Sequence, residues 1–480
     1  MPPSANQSKQ QRLMDNKETI KEVLRTFKIE VEDISMTRGS TVTLYSLRPV
    51  MGTRISRIRN LKDELAVALS VPAVRVIAPM QDGSVGIEVP NERREIVKAE
   101  DILSSAEYRD TDMKLPCAIG ETIDGQLFMR DLADMPHLLI AGATGQGKSV
   151  CLNMLLMSMM NRRSPKEMQI MLIDPKQVEL SVYATLYGSY LAASIATTTE
   201  DAINLLERVV ELMESRYTLL SAKGVRNIAE YNKGLEEGEE FMRYCVVVVD
   251  EYADLRMTTG KMAESMICRI AQKARAVGIH MIIATQRPSA TIVTGNIKAN
   301  FPVRIAFRVA SGVDSRVILD HTGAEDLSGK GDMLYSDGLD DVRVQCGFGD
   351  TKFVRDNIRK LELIHPETVK SVLDIEEPEK KRKEPMEISK NLEDLMCYFA
   401  LHRERVRVCD FGILWPYIFS GNMAMRNFDK MVEIGCLGEP VGEGFDRSAE
   451  VLVCTTWMVR ALCADARGDE PDPYRYISKK

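Results

Sequence analysis

No stretch of the 480 residues reaches the roughly 18 consecutive apolar residues that a membrane-spanning helix needs. The strongest apolar runs, CVVVV (245–249) and HMIIA (280–284), have the length of buried strands. The amino terminus, MPPSANQSKQQRLMDNK, lacks the apolar core of a secretory leader. Both absences lead to the expectation of a soluble, cytoplasmic chain. The ten cysteines form no CxxC pair and the five histidines stand far apart, which supports neither a zinc site nor a disulfide framework. Net positive charge is lacking too. With a formal charge of −7, any nucleic-acid contact has to come from a local basic surface rather than from the whole-molecule field. No internal repeat is visible. What remains, at 45% hydrophobic and 28% charged residues, is a globular chain long enough for two or three domains.

Three blocks follow a polar terminus (1–19) that is expected to be flexible. The first, residues 20–116, mixes alternating segments such as TVTLYSLRP (41–49) and AVRVIAPM (73–80) with a helical stretch, ISRIRNLKDELAVALS (55–70), and reads as a small α+β domain. The second, 117–374, alternates β-branched runs with longer helical patterns, the signature of parallel strands joined by crossover helices. Its strand candidates are HLLIAG (137–142), MQIMLIDP (168–175), CVVVVDE (245–251), HMIIATQ (280–286) and VRIAFRV (303–309). Between two of them, residues 197–220 place Ile203, Leu206, Val210, Met213 and Tyr217 on one helical stripe, with Thr198 and Asp201 spaced as a capping box. DMLYSDGLDDVRVQC (332–346) reads as a hairpin around Asp337 and Gly338. The charged, proline-flanked IEEPEKKRKEPME (375–387) is a solvated linker. Beyond it, in 388–480, helical runs at 392–404 and 422–435 are followed by VLVCTT (451–456), an order that suits a winged-helix-like domain with a carboxy-terminal extension.

GATGQGKS (142–149) fits G-x-x-x-x-G-K-[ST] and stands between a strand and a helix, the context the motif requires. Gly142, Ala143, Thr144, Gly145, Gln146 and Gly147 would turn the backbone so that its amides face a triphosphate, with Val150 continuing the segment. Lys148 would bridge the β- and γ-phosphates of ATP, and Ser149 would ligate Mg²⁺. CVVVVDE supplies two acids at a strand end: Asp250 to hold the metal shell, and Glu251 to take the proton from the attacking water. Gln286 leaves the next strand, where strand order decides whether it can sense the γ-phosphate. Asp174 and Lys176, at another strand end, fit a structural salt bridge as well as a functional role.

The order of these segments, with VGIEVPN (85–91), IDPKQVELSVY (173–183), VVVDEYADL (247–255), IKANFPVRIAF (297–307), DSRVILD (314–320) and GKGDMLY (329–335), resembles the cytoplasmic motor of the FtsK/SpoIIIE family of DNA translocases over about residues 28–350. The resemblance implies an α/β fold with a RecA-like P-loop ATPase core, an N-terminal α+β ring tier and a hexameric ring around double-stranded DNA. In such rings a neighbour's arginine completes the site; Arg275 takes that position by pattern, with Arg316 as the alternative. Pore loops would carry Arg287, Lys298 and Arg316 to the phosphates, while Gly312 stands where the family often has lysine. The last block resembles the family's winged-helix domain, whose recognition helix would present Asn422, Arg426 and Lys430 to DNA, or would bind a site-specific recombinase or other protein instead. The setting implied is chromosome segregation, cell division or DNA transfer. The family's membrane-anchored amino-terminal region has no counterpart here, which leaves the soluble part of a longer protein or a soluble relative. Two other readings stay open: a secretion or conjugation coupling motor that moves protein or single strands, and a DNA-binding partition or docking protein in which ATP only switches assembly.

Overall fold

The computed structural model describes residues 5–374 except 81, 237 and 339, and beyond these 390–402, 405–407, 422–434, 436, 437, 440, 441, 448–451 and 463. The chain divides into two units, Met1–Ile375 and Glu376–Lys480. Among the described residues no helix is long and apolar enough to cross a membrane.

In the first unit, four short strands, β1 (Val31–Arg38), β2 (Val42–Pro49), β3 (Arg75–Ile77) and β4 (Val85–Pro90), form an antiparallel sheet in the order β1-β2-β4-β3. One face of this sheet packs on helices through Tyr45, Leu47, Ile58, Leu65 and Ile87. Two readings from sequence change here. Residues expected to form a flexible terminus belong, from Ala5, to a 22-residue helix, Ala5–Thr26, whose Ile20 and Leu24 are spaced i, i+4 and buried in the domain core. The stretch 55–70 is two helices, Ile55–Arg59 and Lys62–Ala68, because Asn60 and Leu61 break the run so that Leu61 and Leu65 can both turn inward.

A nine-stranded mixed sheet follows. Its strands are β5 (Pro116–Thr122), β6 (Leu127–Asp131), β7 (His137–Ala141), β8 (Met168–Ile173), β9 (Tyr244–Val249), β10 (Ile279–Thr285), β11 (Val303–Phe307), β12 (Asp332–Ser336) and β13 (Asp341–Cys346), in the order β6-β5-β13-β12-β11-β7-β10-β9-β8. The five strands read from sequence form the parallel block β11-β7-β10-β9-β8. Both faces of that block are covered, so β7, β8, β9 and β10 are buried at every residue, which is why each reads as an unbroken apolar run. The β12–β13 hairpin turns at Asp337 and Gly338 as expected and carries the sheet on to β5. Residues 99–109 pack with Ala118 and Met154 of the motor, so the changeover between domains lies nearer Lys98 than residue 116.

Helix Thr199–Lys223 is capped by Thr198, whose hydroxyl accepts from Asp201 N at 3.1 Å and donates to the Asp201 carboxylate at 2.7 Å. Its buried stripe is rotated from the one read in sequence. Ala202, Leu205, Val209, Leu212 and Arg216 join Leu206 and Met213, while Ile203, Val210 and Tyr217 are only half-buried. The Arg216 guanidinium satisfies the carbonyls of Val277 and Arg243, each at 2.7 Å.

In the second unit the described residues form helices Lys390–His402 and Asn422–Glu433 and the antiparallel pair β14 (Arg405–Arg407) and β15 (Ser448–Glu450). The linker 375–387, the connection 412–421 and most of 452–480 lie outside the described residues.

Candidate active site

Strand order decides the site. The strand that precedes the glycine loop, β7, lies beside β10, and β10 lies beside β9, so the carboxyl ends of all three meet at one sheet edge. Gly142 passes so close to Phe307 that a Cβ there would stand 2.5 Å from the Phe307 Cβ. Gly147 has φ 122°, a conformation only glycine adopts readily, and opens the Lys148–Met160 helix. That helix directs its first amides and its dipole into the loop. Ala143, Gly145, Gly147, Lys148, Ser149, Val150 and Gln286 line one cavity of about 400 Å³, with Thr144 and Gln146 in the intervening turn.

Lys148 and Asp250 are buried and paired, Nζ to Oδ1. The second oxygen, Asp250 Oδ2, is buried without a partner among the described residues. Burial pushes the Asp250 carboxyl above its ordinary pKa, against the pull of Lys148. An unpartnered carboxylate oxygen on the residue paired with Lys148, with the Ser149 hydroxyl nearby in sequence on the helix start, is the oxygen-donor chemistry that suits Mg²⁺.

Glu251 follows directly, with φ 52° and ψ 61°, a left-handed backbone that costs a glutamate about 1–3 kcal/mol. Its surroundings hold it there. Thr285 Oγ1 donates to Oε1 at 2.9 Å, Gln286 N donates to the same oxygen at 3.2 Å, and Lys176 Nζ grips Oε2 at 2.7 Å. Burial works to raise the Glu251 carboxyl, but the Lys176 hydrogen bond, the Lys148 charge and the Thr285 and Gln286 hydrogen bonds hold it below its usual range. Lys176, left open in sequence, is therefore the partner of the candidate base, and it also lies 3.8 Å from Asp254. Asp174 has a structural job instead, accepting from Gln177 N and Leu180 N at 3.0 Å each. Gln286 reaches the glycine loop, its Oε1 accepting from Thr144 Oγ1 at 2.8 Å.

Sequence reasoning missed the opposite wall of the cavity. Arg94, Ile96 and Val97 come from the segment that joins the first domain to the motor; Lys330, Gly331, Gln345 and Phe348 come from the β12–β13 region. Ile96 is 71% and Phe348 50% exposed, two apolar surfaces suited to cover the flat face of a base. An apolar residue left open between charged neighbours, as in RREIVK (93–98), was the only local signal.

The model of the FtsK/SpoIIIE family matches residues 99–290, and that of the FtsK alpha domain matches residues 1–91. Among curated proteins, the DNA translocase FtsK of Haemophilus influenzae is 43% identical over 361 residues, 70% of this chain and 68% of that protein. This chain belongs to the FtsK/SpoIIIE family. The FtsK of Caldanaerobacter subterraneus is 44% identical over 339 residues, which are 70% of this chain and 47% of that protein. Like it, other FtsK relatives are matched over less than half of their own length, 43% and 42% for those of Chlorobaculum tepidum and Borreliella burgdorferi. Among solved structures, the pCW3 conjugation coupling protein TcpA, in a monomer form with ATPγS, superposes with a TM-score of 0.52 at 26% identity, over 72% of this chain and 99% of that one.

The remaining residues that the FtsK/SpoIIIE pattern singled out fall into separate places. Arg275 is exposed at the amino end of β10, so the seven residues of that strand, on the order of 20 Å, separate it from Gln286. It cannot serve the phosphate site of its own chain. Arg287 and Arg316 are exposed. Lys298 is not a free cation: Asp320 holds its ammonium at 2.5 Å and Arg304 at 2.5 Å. At Gly312 a Cβ would come 2.9 Å from Glu325 Oε1, the movable end of a side chain. Arg426 is exposed on helix Asn422–Glu433, which also carries Asn422 and the half-buried Lys430.

Proposed function

We propose that this chain is an ATP-hydrolysing motor that moves along double-stranded DNA as a hexameric ring. The observation that carries the reading is the placement of Glu251 and Gln286 opposite the glycine loop, on adjacent strands whose ends converge. Lys148 and the loop amides hold the triphosphate, Gln286 contacts the loop beside it, and Glu251 accepts the proton of the attacking water. Mg²⁺, held by Ser149 and Asp250, would offset the negative charge of the phosphates. Arg275 acts on the site of an adjacent copy, where its charge faces the γ-phosphate.

A chain of hydrogen bonds supports coupling between DNA and chemistry. Arg287 N donates to Thr285 Oγ1 at 3.1 Å, and that hydroxyl donates to Glu251. A duplex phosphate that pulls on exposed Arg287 shifts the same segment that holds the base. Loss of the Thr285 or Gln286 hydrogen bond would raise the Glu251 carboxyl, since both hold it down. The relatives named DNA translocase FtsK favour duplex as cargo, with chromosome segregation or DNA transfer as its setting. The likeness to a conjugation coupling protein favours a second reading, a coupling motor for single strands or protein.

Displacement of a third strand from linear duplex, with ATP present, tests the proposal. The wild-type chain should strip the third strand, and Glu251→Gln should bind ATP yet turn over at least ~100-fold more slowly. ATP turnover stimulated by single strands and not by duplex would favour the coupling motor. Normal turnover by Glu251→Gln would remove Glu251 as the base.

A further inference from the structure

GKGDMLY (329–335) lends Lys330 and Gly331 to the cavity wall, and it also touches the glycine loop directly. Gly331 N donates to Gln146 O at 2.7 Å, and a Cβ on Gly147 would stand 2.8 Å from the Gly331 Cα. Two glycine backbones thus meet face to face. Gly329, Lys330 and Gly331 have φ values of 74°, 56° and 91°; for Lys330 that conformation is strained and persists only where neighbours impose it. Movement of the turn 328–331 therefore displaces the phosphate loop.

The turn is held from the first domain. Ser328 N donates to Asp332 Oδ2 at 2.6 Å. Arg343 forks onto Asp332, Nε to Oδ1 at 2.9 Å and Nη2 to Oδ2 at 2.6 Å, while its Nη1 reaches Glu88 Oε2 at 2.6 Å. Glu88 lies on β4, where Arg75 also reaches Oε2 at 3.2 Å, and its other oxygen is buried without a partner among the described residues. The side chains of Glu88, Asp332 and Arg343 are 0, 1 and 3% exposed. Arg94, also upstream of the motor, donates to Ser328 O at 3.0 Å. A buried charged triad adds little net stability over an apolar plug of the same size. What the planar fork adds is direction, since it permits one relative placement of the groups it joins.

We propose that Glu88, Arg343 and Asp332 are positioning residues for the nucleotide site, transmitting the seat of the first domain's β4 to the glycine loop through the turn 328–331. The proposal rests on reading that loop as a triphosphate site. By reciprocity, nucleotide in the loop tightens the seat of β4.

Calorimetric titration of the full chain with ATPγS tests it, using Glu88→Gln, Asp332→Asn and the double variant, alongside thermal unfolding of each without nucleotide. Each single variant should weaken ATPγS binding about tenfold, within the usual range of coupling between sites, and the double variant no more than either alone. A folded Glu88→Gln chain that binds within twofold of wild type, with only its melting temperature lowered, overturns the coupling. Hydrogen exchange of the unmodified chain gives a second measurement that needs no variant: saturating ATPγS should slow exchange in Val85–Pro90, none of which lines the cavity. Unchanged exchange there overturns the proposal. Failure of the wild-type chain to bind ATPγS would overturn the triphosphate reading itself, and the proposal with it.

Discussion

Replacing Lys148 with methionine keeps most of the side-chain volume and removes one charge from a pair whose members are 3% and 1% exposed. Asp250 is then left buried with neither oxygen paired, since Oδ2 has no partner to begin with. Breaking a buried pair from one side costs on the order of 3–5 kcal/mol, most of it the stranded charge. At about 2–4 °C per kcal/mol, the nucleotide-free melting temperature should fall by roughly 6–20 °C. Asp250→Asn in the same background removes the stranded charge, and the double variant should recover at least half of the loss although it still cannot bind nucleotide tightly. Lowering the pH should narrow the gap between single and double variants. Burial already raises the Asp250 carboxyl, so the group can protonate in place, and stability then rises as pH falls. Calorimetry of all four proteins of the cycle between pH 5 and 8 is the assay. A single variant that melts within about 2 °C of wild type, or a double variant no more stable than the single, refutes the argument.

Two more perturbations follow from charges elsewhere. Burial lowers His280 to about 4 and His137 to about 3, with the neighbouring histidine adding to the effect on His137. Below pH 6.5 the unfolded chain binds protons that the folded chain refuses, so stability should fall on acidification at up to ~1.4 kcal/mol per pH unit for each histidine. A pH profile of His280→Gln no flatter than that of wild type would count against this. At the exposed basic residues, Arg287→Ala and Arg316→Ala should each lower the salt dependence of duplex binding by about one released counterion. Lys298→Ala should change it less, because Asp320 already occupies its ammonium. Asp320→Asn should raise it by freeing Lys298 and Arg304; the left-handed φ of 69° tolerates asparagine. Equal slopes for Lys298→Ala and Arg287→Ala would show that the pair does not restrain Lys298.

The features legible in sequence were contiguous ones. Residues 137–149 carry a strand, a turn and a helix start in one run, and Asp250 and Glu251 follow a strand whose six residues are all buried. The five parallel strands were legible because sheet faces covered on both sides demand continuous apolar runs. Their order was not, because order depends on crossovers that leave no local mark, and the neighbouring role of Gln286 became visible only with β10 set between β7 and β9. Long-range pairing explains the other gaps. Lys298 reads as a free pore cation until Asp320, 22 positions away, is brought against it. Glu88 and Arg343 are 255 positions apart, and each alone reads as a surface charge. The terminal helix was missed because MDNKETIKEVLRT shows few apolar residues, yet Ile20 and Leu24 are buried in the domain core with Val23 packed beside them.

The distance between Arg275 and Gln286 within one copy has an arithmetic consequence. On the role proposed for Arg275, a catalytic station whose two halves sit on opposite rims of the same subunit exists only where one subunit abuts the next. A closed circle of such subunits contains as many stations as members, whereas an open arc contains one fewer and a solitary subunit contains none. Burning of ATP by a chain of this design should therefore climb with its own concentration more steeply than in proportion, even before any cargo is threaded.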